Sequence, residues 1–438
     1  MGTLASVLRP VLLVIAGCSL GLSAGDVLPD VVAKPGWDDL PPIKVDAASE
    51  WPWWRGPGCN GLAAPGQEPV LAWGEQTNLR WRTELPRIGH GSPCLRGGCI
   101  YVAAGEAKEG VIWVLAFDQA SGKKLWQTEV YRGAIPKMHA DNSPASATIA
   151  CDGERLFFPY QTKSEARMAA LDLTGKVVWN FSYGPYESIQ GFSSSPALYH
   201  SAVLLAVDGK ENKQITALHR KTGAVVWRSS RVAERESYTP PLVAHIAGRD
   251  QVVVSGPART RSHDPMTGTP LWDCEGPATT CAASVAFSRD TVFVLGGYPK
   301  RSLLAIRADG SGDVTASHVT WKEGNDNKKV GYIPSPLYHD GLLYEMVDKG
   351  IFRCYDAVSG TLAWEYDLKA PFYSSPVLVG SRLYVFDQKG KGHVFKAGRQ
   401  CELLATNELS SGVYATPVFL GNRMYLRTLT ALYCFGAP

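Results

Sequence analysis

Hydrophobic and polar residues alternate with a period of two in short stretches along most of the chain. Residues 335–368 contain four such stretches in succession: SPLYHDG, LLYEMVD, GIFRCYDAVSG and TLAWEYDL. β-Branched and aromatic residues dominate them, and Gly, Asp and Asn stand between them, which is typical of β-strands joined by tight turns. No stretch keeps the 3.6-residue period of a helix. The pattern predicts an all-β chain built from four-stranded units.

The unit recurs along the chain, and its clearest marker is a glycine placed four residues before a tryptophan. The five copies are Gly122/Trp126, Gly175/Trp179, Gly223/Trp227, Gly268/Trp272 and Gly360/Trp364. Trp81 and Trp321 fall into the same series, whose spacings run from 43 to 53 residues. An Asp precedes the Gly in four copies, as in a hairpin loop where Asp binds backbone N–H groups and Gly is left-handed. The Trp is therefore predicted on the outermost strand of each unit.

A second marker, a small polar residue followed by Pro, opens the apolar run that begins each unit. Its copies are Ser92-Pro93, Ser143-Pro144, Ser195-Pro196, Thr239-Pro240, Ser335-Pro336, Ser375-Pro376 and Thr416-Pro417, with an eighth at Cys281-Ala282-Ala283 that lacks the Pro. Residues 79–438 thus divide into eight units of about 45 residues each.

Four-stranded units at this spacing predict a β-propeller, because one sheet alone cannot bury both of its faces. The last unit ends without a Trp strand, whereas residues 79–83 supply that strand with nothing before it. The N-terminal strand is therefore predicted to complete the last blade, which removes both open edges. Eight blades are predicted for residues 76–438, and seven remain the alternative if the fifth or seventh unit is not a full blade.

The segment before the propeller has two parts. Residues 1–24 have one Arg and then an apolar run from Val11 to Leu22, as in a signal peptide that directs the protein to the periplasm or cell envelope of a bacterium. Cleavage after Ala24 is one interpretation, and a lipid anchor at Cys18 within Ile15-Ala16-Gly17-Cys18 is the other. Residues 25–75 are rich in Pro and Trp, and the cluster WPWWRGP at 51–57 is predicted to dock on the propeller, as a packed latch or an aromatic platform.

Composition narrows the classes of partner. The formal net charge is +3 over 438 residues, which gives no basic field for nucleic acid. No segment after the leader is long and apolar enough to span a membrane. Composition therefore indicates neither nucleic-acid binding nor a membrane span. Separately, the intact repeat leads us to expect an exported monomer whose partner is a protein or peptide of the cell envelope.

The repeated Ala-x-Asp-x-x-Thr-Gly-x-x-x-Trp unit resembles the quinoprotein-type (PQQ-like) β-propeller repeat. That family includes dehydrogenases that use pyrroloquinoline quinone and the BamB-like lipoprotein subunit of the machinery that assembles outer-membrane β-barrels. The resemblance covers residues 79–438 and implies the propeller fold. The WPWWRGP element and the segment His139 to Thr148 resemble a subfamily of exported bacterial propellers.

The resemblance implies catalysis only if the family's cofactor groups are present. The dehydrogenases carry an adjacent Cys-Cys pair, acidic Ca²⁺ ligands with an Asn, and a catalytic Asp, but this chain has no Cys-Cys dipeptide and no Cys-x-x-Cys-His haem site. We predict no catalytic residue, no metal site and no cofactor. Pyrroloquinoline quinone with Ca²⁺ belongs only to the alternative hypothesis, a diverged dehydrogenase acting on alcohols or sugars.

A set of polar residues just before the second marker is expected to face the axial channel and bind a polar ligand or a peptide. The candidates are His90, His139, Asn142, Ser194, Tyr238, Tyr332, Tyr373 and Tyr414. The competing interpretation is that these groups only bind channel water and neighbouring loops. Ligand binding in the channel supports the first hypothesis, a binding or scaffold protein; glycan binding by the Trp-rich segment and the tyrosines is a third.

Two disulfide pairings are possible in an oxidising compartment. Cys274 and Cys281 flank a short loop that contains Pro, and Cys94 and Cys99 face each other across Leu-Arg-Gly-Gly. Removal of Cys18 would leave nine cysteines, so at least one mature thiol is unpaired within the chain.

Overall fold

The computed structural model describes residues 29–231, 235–324 and 330–437. The predicted signal peptide and Cys18 lie outside the described residues. In the described part the regular elements are β-strands, and no helix there has the length and apolar character of a membrane span. We number the strands β1 to β33 and the sheets as blades 1 to 8, both in chain order.

Eight sheets contain four antiparallel strands each, and one of them gains a short fifth strand. Blade 1 comprises β2 (Cys94–Arg96), β3 (Cys99–Glu106), β4 (Val111–Asp118) and β5 (Lys124–Arg132). Blade 2 comprises β6 (Ala150–Cys151), β7 (Arg155–Gln161), β8 (Glu165–Asp172) and β9 (Val177–Pro185). Blade 3 comprises β10 (Ala197–Tyr199), β11 (Ala202–Asp208), β12 (Lys213–His219) and β13 (Val225–Ser230). Blade 4 comprises β14 (Leu242–Ile246), β15 (Arg249–Ser255), β16 (Arg259–His263), β17 (Pro270–Glu275) and the parallel fifth strand β21 (Gly312–Asp313).

The second half of the chain continues in the same way. Blade 5 comprises β18 (Ala286–Phe287), β19 (Thr291–Gly296), β20 (Ser302–Arg307) and β22 (Val319–Glu323). Blade 6 comprises β23 (Leu337–His339), β24 (Leu342–Met346), β25 (Ile351–Asp356) and β26 (Leu362–Asp367). Blade 7 comprises β27 (Val377–Val379), β28 (Arg382–Phe386), β29 (Lys391–Lys396) and β30 (Leu403–Glu408). The predicted eight-bladed, all-β propeller is confirmed, and the seven-bladed alternative is wrong.

Blade 8 joins the two ends of the chain. It comprises β31 (Val418–Leu420), β32 (Arg423–Arg427), β33 (Ala431–Phe435) and β1 (Leu79–Glu84). β1 pairs antiparallel with β33, which places Trp81 opposite Cys434 and Glu84 opposite Ala431. The predicted closure is confirmed: backbone hydrogen bonds between the first and last strands close the ring and cover the edge of β33, and β1 becomes the outermost strand of blade 8.

In most contacts between blades, the tryptophan of one blade lies against the marker glycine of the next. Trp227 is fully buried, and its Nε1 donates a hydrogen bond of 2.9 Å to the carbonyl oxygen of Pro265. A Cβ at Gly268, whose φ is +76°, would lie 2.5 Å from Cε3 of that indole. The same close approach recurs at Gly122 on Trp81, Gly175 on Trp126, Gly223 on Trp179 and Gly360 on Trp321. Gly is therefore required for two reasons, the left-handed turn and the space that the indole occupies.

Blade 5 lacks this marker, and the contact changes accordingly. Trp272 of blade 4 donates its Nε1 hydrogen to Oε1 of Gln251 within its own blade, at 2.8 Å. Gly312 and Asp313 then pair in parallel with Trp272 and Asp273, which extends the outer edge of blade 4. A segment that belongs to blade 5 in sequence thus covers the tryptophan that has no turn to dock on.

Trp364 of blade 6 is the second exception, because blade 7 has no marker glycine to receive it. It lies on the outermost strand β26, as predicted, and it is 8% exposed. Its Nε1 donates a hydrogen bond of 2.9 Å to the carbonyl oxygen of Gly398, and its ring stacks on that of Phe395 with 6.3 Å between centroids. A Cβ at Gly398 would meet nothing within 4 Å. The repeat therefore predicted the strand of Trp364 correctly but not its contact, which an aromatic ring and a backbone carbonyl supply instead of a glycine.

The apolar core lies between neighbouring blades. All seven residues of β11 and all seven of β12 are buried, whereas side chains of the outermost strand β5 are half-buried or exposed in turn. One apolar cluster joins blades 1 and 2 through residues such as Ile112 and Phe158. Burial at about 25 cal/mol per Å² of apolar surface stabilises the stack of blades, and the polar residues that begin each blade face the axis.

Residues 29–75 run across one face of the propeller. We call it the hairpin face, because the turns between the first and second strands of each blade lie there. Val31 pairs with Arg228 of blade 3, and Trp51 pairs with Leu95 of blade 1. Farther along, Ala63 N–H donates to the carbonyl oxygen of Leu378 in blade 7, at 2.9 Å. The segment therefore crosses the axis of the ring on its way to β1.

The two predicted disulfides are not formed in this structure, where the nine described cysteines are free thiols. Cys94 lies opposite Tyr101 in the β2–β3 ladder and Cys99 lies opposite Arg96, so the two residues are not cross-strand neighbours. The Cys94 thiol donates to the carbonyl oxygen of Pro52 at 3.1 Å. Cys274 and Cys281 are both buried and separately packed, with the Cys281 thiol directed at the carbonyl oxygen of Ala278.

Candidate binding cavity

A ring of hydroxyl side chains surrounds the axis where the blades begin. Each member precedes the first strand of its blade by two residues, and the backbone N–H of one member donates to the hydroxyl of the next blade. The links are Ser92 to Thr148 (2.9 Å), Thr148 to Ser195 (2.9 Å), Ser284 to Ser335 (2.9 Å), Ser335 to Ser375 (2.9 Å), Ser375 to Thr416 (3.0 Å) and Thr416 to Ser92 (3.0 Å). The small polar residue of the second sequence marker was wrong in three blades: Thr148, Pro240 and Ser284 hold these positions, not Ser143, Thr239 and Cys281.

The ring is interrupted at blade 4, where the corresponding residue is Pro240, two residues before β14. Proline has neither an N–H nor a hydroxyl group, so it can neither accept from Ser195 nor donate to Ser284. The Ser284 hydroxyl instead accepts a hydrogen bond of 2.6 Å from Nε1 of Trp54. A gap in the ring thus becomes the docking point of the N-terminal segment.

Residues 51–63 form a plug that closes the channel at the hairpin face. At one end the carbonyl oxygen of Pro52 accepts from the N–H of Cys151, at 2.8 Å. At the other, Nη2 of Arg55 donates to the carbonyl oxygen of Pro336, at 2.9 Å. Trp51 is 2% exposed, whereas Trp54 lines the channel. The latch interpretation of the WPWWRGP cluster therefore holds for Trp51, whereas the aromatic platform stays a prediction for Trp54, which faces the channel.

Above the plug lies a cavity of about 340 Å³ that opens on the face opposite the hairpins. Seven of the eight predicted residues line it: His90, His139, Asn142, Tyr238, Tyr332, Tyr373 and Tyr414. Ser194 does not, because side chains alternate along extended chain and its neighbours Ser193 and Ser195 face the cavity. Its hydroxyl donates to the carbonyl oxygen of Thr239 at 3.4 Å.

Aromatic rings form part of the cavity wall. Tyr414 stacks on His90 with 4.4 Å between ring centroids, and Tyr373 meets Tyr414 edge to face at 5.3 Å. The Tyr238 hydroxyl lies 3.0 Å from Oγ of Ser188. Burial raises the pKa of Tyr238 to about 12 and also raises the pKa values of Tyr373 and Tyr414. These hydroxyls are therefore protonated at neutral pH and can donate hydrogen bonds.

The long connection between blades 1 and 2 contributes the polar part of the mouth. Oδ2 of Asp141 accepts a hydrogen bond of 3.2 Å from the hydroxyl of Tyr373, which lies 232 residues away in sequence. Nδ1 of His139 is 3.7 Å from the same carboxylate oxygen. Asn142 donates to the carbonyl oxygen of Gln190 at 2.5 Å, which ties the connection to the next loop.

Two arginines lie behind the wall without joining the cavity lining. Arg427 is 1% exposed and donates to the carbonyl oxygen of Gly91 at 3.2 Å. Burial, with the charge of Arg427, lowers the pKa of His90 to about 3, so the His90 imidazole is neutral at physiological pH. Arg301 binds both carboxylate oxygens of Asp348, at 2.5 and 3.0 Å, and lies 6.0 Å from the ring of Tyr332.

The cavity lining does not suit pyrroloquinoline quinone. That cofactor is a tricarboxylate, yet the described lining contains two carboxylates, Asp141 and Asp348, and no Lys or Arg to balance it. Ca²⁺ takes six to eight oxygen ligands, but the Asp348 carboxylate is already paired with Arg301. The described residues also contain no group of three His, Cys, Asp or Glu side chains that could hold a metal ion.

Comparison with protein families agrees with this architecture. Residues 61–183, 164–317 and 312–399 match a family model described as outer membrane protein assembly factor BamB. The chain belongs to this family. No curated protein matches the chain in sequence.

Solved structures share the fold at low identity. BamB from Moraxella catarrhalis is 15% identical with a TM-score of 0.60, covering 82% of this chain and 99% of its own. Quinohemoprotein alcohol dehydrogenase from Comamonas testosteroni is 13% identical with a TM-score of 0.63, covering 89% and 81%. A europium-containing methanol dehydrogenase is 12% identical with a TM-score of 0.51, covering 89% and 98%. Assembly factors and dehydrogenases thus share this fold, so the fold alone does not distinguish their functions.

Sequence patterns did not identify several residues of the cavity. Trp54 was placed in a docking segment, but nothing in the sequence put it beneath the channel. Asp141 and Asp348 lie in loops outside both markers. The one available signal was the alternation of side chains, which relates Ser92 to His90 and Ser375 to Tyr373 and would have replaced Ser194 by Ser193.

Proposed function

We propose that this protein is a non-catalytic binding protein of the bacterial cell envelope, whose cavity receives a segment of a protein partner. The observation that carries the proposal is the blind cavity: Trp54 closes it at one end, and aromatic rings and hydroxyl groups line it up to an open mouth. Such a lining offers apolar contact and many hydrogen bonds to a peptide. Its His90 imidazole stacks on Tyr414, and burial lowers the His90 pKa to about 3, which makes that imidazole a weak base.

The setting in the cell supports a protein partner. Residues 1–24 have the pattern of an exported leader. The matching family is named for assembly of outer-membrane proteins. A propeller closed by β1 can act as a monomer, because β1 covers the edge of β33 that a second copy could otherwise pair with.

The test is a comparison of the two faces in living cells. A photo-crosslinking amino acid replaces His139, an exposed residue at the cavity mouth, or His339, an exposed residue at the end of β23 on the hairpin face. We expect an envelope protein to be crosslinked from position 139 and not from position 339. Crosslinking from position 339 alone, or from neither position, would refute binding at the cavity.

The dehydrogenase hypothesis is tested on the same purified protein. It is incubated with pyrroloquinoline quinone and Ca²⁺, desalted, and examined for bound chromophore and for dye reduction with alcohols or sugars. We expect neither, because the described lining supplies no cation for the quinone carboxylates. A retained chromophore together with dye reduction would replace the binding proposal by an enzymatic one.

A further inference from the structure

The cavity is electrostatically one-sided. Its described lining contains two carboxylates and no Lys or Arg, although the chain as a whole carries a net charge of +3. Arg301 neutralises one of the two, Asp348. The other, Asp141, has a neutral hydrogen-bond donor in Tyr373 and a half-exposed neighbour in His139. Asp141 is thus the carboxylate of the mouth that no arginine or lysine of the described chain neutralises.

The rings around Asp141 add to the negative potential. Trp54 forms the floor, and four tyrosines stand above it: Tyr238, Tyr332, Tyr373 and Tyr414. The face of an aromatic ring carries partial negative charge, which attracts a cation within about 6 Å of its centre. An ammonium or guanidinium group in the cavity would be attracted by these rings and by one carboxylate that no described arginine or lysine neutralises. A carboxylate or phosphate could accept hydrogen bonds from the tyrosine hydroxyls, but it would find no Lys or Arg in the described lining and would be repelled by Asp141.

We propose that the cavity binds the cationic side chain of a lysine or arginine, carried by an extended segment of the partner protein. The inference rests on the proposed function and names the chemistry that the cavity selects. The volume of about 340 Å³ corresponds to roughly ten water molecules at ~30 Å³ each, enough for a long side chain. The charged end binds Asp141, and the aliphatic stem contacts the rings.

The test uses capped pentapeptides of glycine that differ only at the central residue: Lys, Arg, norleucine or Glu. Titration calorimetry measures each against the full mature protein, with spermidine as a free cation. We expect the Lys and Arg peptides to bind, norleucine to bind about tenfold more weakly or worse, and Glu not to bind. Since the attraction is electrostatic, 0.5 M NaCl should weaken binding of the Lys and Arg peptides.

Matched variants locate the interaction. Asp141→Asn keeps an oxygen acceptor for Tyr373 but removes the charge, and we expect a loss of about tenfold or more for the Lys peptide. Asp340→Asn removes the same charge from an exposed turn on the hairpin face and should change nothing. Tyr414→Leu removes the ring and should lose about fivefold, and Tyr414→Phe, which keeps the ring, should lose less. Melting curves confirm that each variant is folded.

The outcomes separate this inference from the proposed function. Equal binding of all four peptides, unaffected by Asp141→Asn, would overturn cation selection and leave peptide binding in the cavity intact. Binding of spermidine but of no peptide would overturn the peptide source of the cation. No binding of any probe would overturn the inference, and the crosslink at position 139 would then decide whether the proposed function survives.

Discussion

The contact between Trp227 and Gly268 makes a quantitative prediction about what holds neighbouring blades together. Gly268 and Gly248 both lie in turns of blade 4, with φ of +76° and +78°. A Cβ at Gly268 would lie 2.5 Å from Cε3 of the buried Trp227 indole, whereas a Cβ at Gly248 meets nothing within 4 Å. Gly268→Ala and Gly248→Ala therefore impose the same backbone strain and differ in the clash.

The magnitudes follow from the two costs. A left-handed alanine costs about 1–2 kcal/mol, and this is the whole expected effect of Gly248→Ala. At Gly268 the indole must also move, at about 1–3 kcal/mol for overpacking a filled site. Its 2.9 Å hydrogen bond to Pro265 would lengthen or break. We expect Gly268→Ala to lower the free energy of unfolding by about 1–3 kcal/mol more than Gly248→Ala does.

The assay is guanidinium unfolding followed by circular dichroism for both variants and for a double-mutant cycle. In a Trp227→Leu background the indole is absent, so Gly268→Ala should cost only the backbone strain, as at Gly248. Equal destabilisation by the two glycine variants in the wild-type background would refute the role of the indole. So would a Gly268→Ala cost that is unchanged when Trp227 is replaced.

Three further predictions concern closure, pH and the plug. Deletion of residues 76–85 removes β1 and exposes the edge of β33. We expect a lower melting temperature, and self-association that size-exclusion chromatography detects. A monomer that melts like the wild type would contradict this. The His90 pKa is lowered from 6.5 to about 3, so the folded state resists protonation and wild-type stability should fall as pH drops below about 6.5. Between pH 6.5 and pH 5 the free energy of unfolding of His90→Gln should fall less than that of the wild type, by up to about 2 kcal/mol, since each pH unit is worth 1.36 kcal/mol. Parallel pH profiles of the two proteins would contradict this. Trp54→Phe loses the hydrogen bond to Ser284 and should lower the free energy of unfolding by about 1 kcal/mol, measured by denaturant unfolding. Adding Ser284→Ala to this variant should lower it little further, and fully additive losses would contradict the hydrogen bond between the two residues.

The sequence was sufficient for the fold because its determinants are local. Gly, Asp and Trp lie at fixed offsets within each marked hairpin, and most blades contain the same tight turn and the same packed indole. The closure of the ring could also be predicted, since the segment around Trp81 has the pattern of the strand that the last unit lacks. The contacts depart from the repeat where the next blade has no marker glycine: residues between β20 and β22 extend blade 4 to cover Trp272, and Phe395 of blade 7 receives Trp364.

The cavity was harder to predict because its parts come from distant segments. Asp141 and Tyr373 meet across 232 residues, and neither belongs to a pattern that predicts the other. In blade 2 the Ser143-Pro144 dipeptide matches the marker, but β6 begins at Ala150, so Thr148 holds the position in the hydroxyl ring. An error of one residue in extended chain reverses which side chain faces the axis, which is why Ser194 was chosen and Ser193 was missed.

The break in the hydroxyl ring explains why the cavity is closed at one end only. With a donor and a hydroxyl in every blade, each hydroxyl of the ring would already accept one backbone N–H. Pro240 removes two links, and the freed Ser284 hydroxyl accepts from Trp54. Arg55 then fixes the plug to Pro336 on blade 6, so the channel is sealed at the hairpin face. The loops between blades are left to form the mouth, where we propose that a partner binds.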